Sequence, residues 1–215
     1  MSHPDDAPEV PAGPAEGDPA APALQRAREG DVSAVGPLLE QYRGRLARMV
    51  NLRLDPRLAG RVDASDVLQE SYVEITERLP RYLAEERMPF FLWVRFLVAQ
   101  KLAQVHRRHL GTRGRDAARE VPLIQRLGPD ASSIAVASAY LAHSETPSQV
   151  VGAEEERERV RQALDALNPI DREVLVLRHF EELSNSEVAT LLGLAPSAAS
   201  ARYVRALQRL SGAVA

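Results

Sequence analysis

Between residues 63 and 77 five acids recur at threes and fours: Asp63, Asp66, Glu70, Glu74 and Glu77, with Gln69 among them and no base before Arg78. On a helix this spacing gathers them into one stripe, where like charges repel. Such a stripe is either a solvated face or the docking face for a basic protein partner. A second set begins with Phe91, Trp93 and Phe96 and runs through Lys101 into His106, Arg107, Arg108 and His109, then on to Arg113 and Arg115. Rings beside a cationic strip suit single-stranded nucleic acid, because bases stack on rings while cations follow the backbone. The plainer reading of the three rings is core. A third set, Ser197, Ser200, Arg202, Arg205 and Arg209, shares one side of a helical pattern near the end of the chain, and these side chains bond phosphates and base edges alike.

All three sets bind; none catalyses. The chain has no cysteine, which removes disulfides, thiolate metal sites and cysteine nucleophiles. His106 and His109 lie three apart without a third ligand, and neither a phosphate loop nor triad spacing occurs. The expectation is a protein with no catalytic residues, no metal and no cofactor.

The elements that carry these residues are helical. From Leu24 to about His109 apolar residues return at helical intervals, as in Leu38, Leu39, Tyr42, Leu46, Met49 and Val50, with no alternating pattern. Val62-Asp63-Ala64-Ser65-Asp66-Val67 reads as a helix start, with Asp63 the cap and Val62 stapled to Val67. Pro89 opens the Trp93 helix. From Pro147 onward the period returns, and Asn168-Pro169 starts another helix with Asp171 and Glu173 near its positive end. Two further helices meet at Gly193, where a tight turn calls for positive φ. Leu194 plugs beneath that turn, Pro196 tolerates the missing N–H of a first turn, and Ala199, Tyr203, Leu207 and Leu210 form a buried stripe. This is helix-turn-helix patterning, and it leaves the Ser197–Arg209 side free for a major groove; an ordinary helical hairpin with a solvated face would have the same spacing. The fold expected is all-α: two small helical domains joined by a flexible linker, the C-terminal one a helix-turn-helix. Residues 1–22 read as a disordered acidic tail, 23–112 as the first domain, 113–149 as the linker with its Gly and Pro residues, and 150–212 as the second domain.

The whole-chain charge of −3 conceals opposite segments. Residues 1–22 carry −5, residues 24–116 carry +5, residues 117–156 carry −4 and residues 157–215 carry +1. The C-terminal domain is thus only weakly basic and would bind DNA weakly alone, since phosphate neutralisation supplies most sequence-independent affinity. Of 27 basic residues one is a lysine, Lys101; arginine's planar fork suits phosphates and base edges, although a GC-rich genome gives the same bias. With no apolar run near the length of a membrane span and no basic-then-apolar start, the expected place is the cytoplasm, with no membrane partner.

Asp63-Ala64-Ser65-Asp66-Val67-Leu68-Gln69-Glu70-Ser71-Tyr72 resembles the region 2.2 helix of extracytoplasmic-function (ECF) sigma factors of the sigma-70 family. That resemblance implies docking on the clamp helices of RNA polymerase's largest subunit through Asp66, Gln69 and Glu70, with Asp63 and Glu74 in the same row. The Trp93 helix with Arg107 and Arg108 is similar to the regions that melt and read the minus-ten promoter element, which places Trp93, Lys101, Arg107, Arg108, Arg113 and Arg115 there. Leu167 to Arg178 resembles region 4.1, and Ser184 to Leu210 the region 4.2 helix-turn-helix that reads the minus-thirty-five element, so Ser197, Ser200, Arg202, Arg205 and Arg209 would face DNA. The sequence departs from the pattern at Gln100 and Gln104, where relatives often carry Asn and Asp, at Ala195 in place of a Ser cap, and at Ser200, where a base is frequent. The segment after Gly114 and the Ser197–Leu207 ending look like planctomycete-type members. Core RNA polymerase and promoter DNA are the partners implied, and an anti-sigma factor is a further one that the family admits. The rival reading is a free-standing helix-turn-helix regulator, which leaves the Asp63–Glu77 stripe and the Trp93 helix without a use.

Overall fold

A computed structural model of the chain describes residues 19–110, 128–143 and 153–214. Within them every regular element is helical: α1 (Ala21–Arg28), α2 (Val35–Arg53), α3 (Ala64–Glu85), α4 (Phe90–Leu110), α5 (Ser133–His143), α6 (Ala153–Asp165), α7 (Pro169–Leu175), α8 (Asn185–Leu192) and α9 (Pro196–Val214). The tail assignment lies outside the described residues up to residue 18, and its last two residues already belong to α1, which takes Pro22 in its first turn.

The caps set the helix starts. Asp63 accepts from the Asp66 N–H and Asp66 accepts from the Asp63 N–H, a reciprocal capping box at the head of α3. Ser184 and Glu187 form a second such box at the head of α8. Asn168 caps α7 by accepting from the Ile170 N–H. Glu86 closes α3 in the left-handed region at φ 35°, and Gly193 closes α8 at φ 61°, ψ 35°, the conformation that glycine adopts without a Cβ penalty. Beyond α7 the chain winds into a π-helical turn over Val176–Phe180.

Helices α1 to α4 enclose an apolar core built on Leu46, Val50, Ile75, Leu79, Phe90, Leu92, Leu97 and Leu102. Tyr42, Tyr82, Phe90, Phe91 and Trp93 join it as linked rings, with Tyr82 stacked on Trp93 at 4.5 Å between centroids. The second core gathers Val136 and Ala137 of α5, Val160 and Leu164 of α6, Leu175 of α7, and Ala206 and Leu210 of α9. Part of the segment read as a linker is therefore a wall of this core: α5 packs on α6 and touches α2. Its sequence, Ser-Ile-Ala-Val-Ala-Ser-Ala-Tyr-Leu-Ala-His, has too few polar positions to display a helical period. The rest of that segment, residues 113–127 and 144–149, lies outside the described residues.

The two helical blocks are packed together. Val174, Leu177, Leu183, Val188 and Leu191 belong to the first core cluster, and Leu52 of α2 belongs to the second. Helix α4 is consequently covered on nearly every side through Ala99, which is why its first half, Arg95 apart, is apolar all round rather than striped.

Candidate functional site

The outer face of α3 carries the acidic row. Asp63, Asp66, Gln69, Glu70 and Glu77 are exposed, while Ala64, Val67, Leu68, Ser71, Ile75 and Leu79 are buried beneath them. Asp63 and Asp66 form the capping box and both remain exposed. Glu74 is half-buried and meets Arg78 at 2.7 Å and Lys101 at 3.4 Å. Lys101, expected at the minus-ten surface, thus sits on the acidic face, with Glu70 3.8 Å away. Exposed Val73 stands in the middle of the row with 62% of its surface open.

Trp93 is 8% exposed and lies in the ring cluster against Tyr82 and Phe90. Arg107 and Arg108 are exposed at the far end of α4; Arg113 and Arg115 lie outside the described residues. Arg108 and His109 face Asp66, Gln69 and Glu70 across a groove of about 290 Å³ that Arg61 and Val105 also line. The basic end of α4 and the acidic row of α3 are therefore neighbours along one edge. His106 turns inward, where its Nε2 accepts the Asp55 N–H at 3.2 Å. Burial holds its pKa below the ordinary histidine value; Asp55 acts the other way.

Helices α8 and α9 meet at Gly193 in the helix-turn-helix arrangement, with Ala199, Ala206 and Leu210 of α9 buried. Asn185 Nδ2 donates to the Pro196 carbonyl at 2.8 Å across the turn. Ser197, Ser200, Arg205 and Arg209 are exposed on the outer side. Arg202 is turned toward the body of the domain and donates to Asp171 at 2.6 Å, tying α9 to α7. His179 and Tyr203 touch beside it at 3.4 Å.

A seam of charge joins the two blocks. Arg53 of α2 donates from Nε to Glu181 at 2.8 Å, from Nη2 to Glu173 at 2.5 Å and from Nη1 to the Pro129 carbonyl at 3.0 Å. Arg95 of α4 donates from Nε to the other oxygen of Glu181 at 2.9 Å. These four residues are 1–6% exposed. Toward the rim Arg45 meets Glu187 at 3.2 Å and Arg48 meets Glu182 at 2.5 Å, and the Arg45 guanidinium lies 3.8 Å above the Phe91 ring. Burial raises the Glu181 carboxyl, but Arg53 and Arg95 more than offset it and the net direction is down.

Residues 157–210 match the family described as Sigma-70, region 4. Over 182 residues, 84% of this chain and 77% of the relative, the sequence is 30% identical to the ECF RNA polymerase sigma factor SigD of Mycobacterium tuberculosis. It is likewise 30% identical over 193 residues, 87% of this chain and 91% of the relative, to the ECF RNA polymerase sigma factor ShbA of Streptomyces griseus. The chain belongs to the ECF RNA polymerase sigma factors. It acts in promoter-directed transcription initiation, binding core RNA polymerase and promoter DNA. The matches extend well beyond the helix-turn-helix, which removes the free-standing regulator. Among these relatives none is planctomycete. The solved structure of CnrH in complex with the cytosolic domain of CnrY aligns with a TM-score of 0.49 and 22% identity over 88% of this chain and 93% of that one. No helix among the described residues is long and apolar enough to cross a membrane.

What the sequence reading of this sigma factor missed is the seam. Arg95 was legible as an oddity, a single cation inside the apolar run Phe90–Val98, because a charge there must find a partner or stay out of the core. Nothing in the sequence said that the partner would be Glu181, 86 residues further on.

Proposed function

We propose that this sigma factor holds core polymerase with the outer row of α3, Asp63, Asp66, Gln69, Glu70 and the half-buried Glu74. Arg107 and Arg108 at the end of α4, continuing into Arg113 and Arg115, serve the minus-ten element, and Ser197, Ser200, Arg205 and Arg209 on α9 serve the minus-thirty-five element. The observation that carries this reading is the exposure of the α3 acids in one row over an underside that is apolar but for Ser71. A row of like charge weakens the helix that bears it, so its use lies with a partner of opposite sign. Trp93 supports the minus-ten surface from within by stacking on Tyr82, and Lys101 steadies Glu74. Arg202 positions α9 through Asp171. The protein works in the cytoplasm, and the chemistry of RNA synthesis belongs to the polymerase, this chain contributing recognition alone.

The test is transcription of fragmented genomic DNA by purified core polymerase, with and without the protein, sequencing the transcript starts. New starts preceded by two spaced upstream motifs are expected. The charge-reversed chain D66R/E70R is expected to lose those starts while keeping its DNA binding; loss of both together, or of neither, refutes the division of labour between α3 and α9.

A further inference from the structure

The outer side of α9 is not uniform. Ser197, Ala201, Val204 and Gln208 follow one another at intervals of four, three and four residues, which at about 3.6 residues per turn draws a single line along the helix. That line lies opposite the buried Ala199, Ala206 and Leu210, and all four of its residues are exposed. Arg205 and Arg209 stand about a quarter turn to one side of it. Arg202, further round on the same side, is held by Asp171 at 2.6 Å.

A helix that merely faces water sets charged and polar residues on its outer face and apolar ones toward the core. Here the order is reversed. The crest of α9 carries Ala201 and Val204, the latter with 48% of its surface open, and the cations stand off the crest. One exposed valine is ordinary on any protein surface; its place on this crest is what counts. The region 4 match over residues 157–210 takes in the whole line, and the proposed reading turns it toward the minus-thirty-five element.

From Ser197 to Val204 the crest runs about 10 Å at about 1.5 Å per residue, within the ~12 Å width of a major groove. Cations a quarter turn away then lie against the groove wall, among the phosphates. The floor presents donors, acceptors and one kind of apolar group, the C5-methyl of thymine. The side chains of Ala201 and Val204 have no hydrogen-bonding atom, so the methyl is the one base feature that they can engage. Cytosine in the same place would bring no methyl and would set an amino group against a side chain that cannot accept from it. Side chains three apart on a helix are about 5–6 Å from each other, and successive bases rise by about 3.4 Å. The two residues therefore reach methyl groups one or two base steps apart.

We infer that Ala201 and Val204 are base-reading residues of α9, and that they select thymine through its methyl group at two closely spaced positions of the minus-thirty-five element, with Arg205 and Arg209 beside them on the phosphates. This rests on the proposed assignment of α9 to that element and names what its surface reads.

The test begins with core polymerase carrying the full chain, which selects duplexes from a randomised pool. Each thymine of the upstream motif so enriched is then replaced singly by deoxyuridine, which keeps the base pairing and removes only the methyl. Replacement at one or two positions is expected to weaken binding about fourfold each, the transfer value of a single buried carbon. V204A changes an exposed position to the residue that a helix favours most, so the fold is kept. It is expected to abolish the deoxyuridine sensitivity at one position and leave the other. On reselection V204R is expected to replace that thymine by guanine, which the arginine fork engages at O6 and N7. R205A/R209A is expected to weaken binding to all duplexes alike while the preference for thymine persists. Tolerance of deoxyuridine at every upstream position, or the same sensitivities in V204A as in the unaltered chain, overturns the methyl reading; if R205A/R209A has meanwhile weakened binding, the assignment of α9 survives. If no upstream motif is enriched and neither R205A/R209A nor V204A alters binding, the assignment of α9 falls and this inference with it.

Discussion

Asp63 is assigned two tasks, one in the fold and one in docking, and two substitutions separate them. Its carboxylate accepts the Asp66 N–H at 2.9 Å and so caps α3; it also stands at the head of the row proposed to meet polymerase. D63A removes cap and charge together. The cap contributes about 1 kcal/mol, and for a chain of this length that corresponds to a fall of about 2–4 °C in Tm. The favourable meeting of a carboxylate with the helix N-terminus adds about 0.3–1 kcal/mol at an exposed site. D63S keeps a hydroxyl that accepts the same N–H, so only the charge is lost, and Tm should fall by about 1–4 °C on that contribution, less than in D63A, which loses the cap as well. Core polymerase binding, measured by titrating labelled protein at moderate salt, is expected to weaken by the same factor in both variants, because both lose the same charge. Binding by D63S as tight as that of the unaltered chain, with D63A weak, would refute a charge contact at Asp63. Its contribution to binding would then be the helix start alone.

Three more outcomes follow from the geometry. Replacing Arg205 and Arg209 with alanine is expected to reduce promoter binding and to lower the slope of log affinity against log salt by about one for each phosphate that is no longer neutralised, measured by fluorescence anisotropy across a salt series; an unchanged slope places neither arginine on the backbone. L164A opens a void in the second core, where Leu164 is fully buried, and should destabilise by about 2–5 kcal/mol in urea unfolding, with minus-thirty-five binding reduced because less of the protein is folded. Because the Glu181 carboxyl is held below its usual range, its contribution to stability is fully present above the ordinary carboxylate value of 4.5 and is lost as pH falls through its lower folded value. The urea midpoint of the unaltered chain should therefore decline in that acid window more steeply than that of E181Q, and identical slopes would show that Glu181 carries no linkage.

Much of this protein is determined by short-range pattern. Asp63 and Asp66 at a three-residue interval settle the head of α3, Gly193 settles the turn before α9, and the period of Val188, Leu192, Ala199 and Leu210 settles which sides of α8 and α9 are buried. All of these depend on neighbours within one or two turns, so residue type and spacing suffice. The acidic row is legible for the same reason: one helix holds all of it. Three features depended on tertiary structure. Lys101 and Arg202 have the same chemistry as the exposed cations, and only packing turned one toward Glu74 and the other toward Asp171. Helix α5 showed no period because its solvent side is nearly as apolar as its core side. The seam joins residues 53, 95, 173 and 181, and a charge pair between distant segments leaves no mark in sequence spacing, since the Coulomb term depends on where folding brings the two ends of the chain and not on how many residues lie between them.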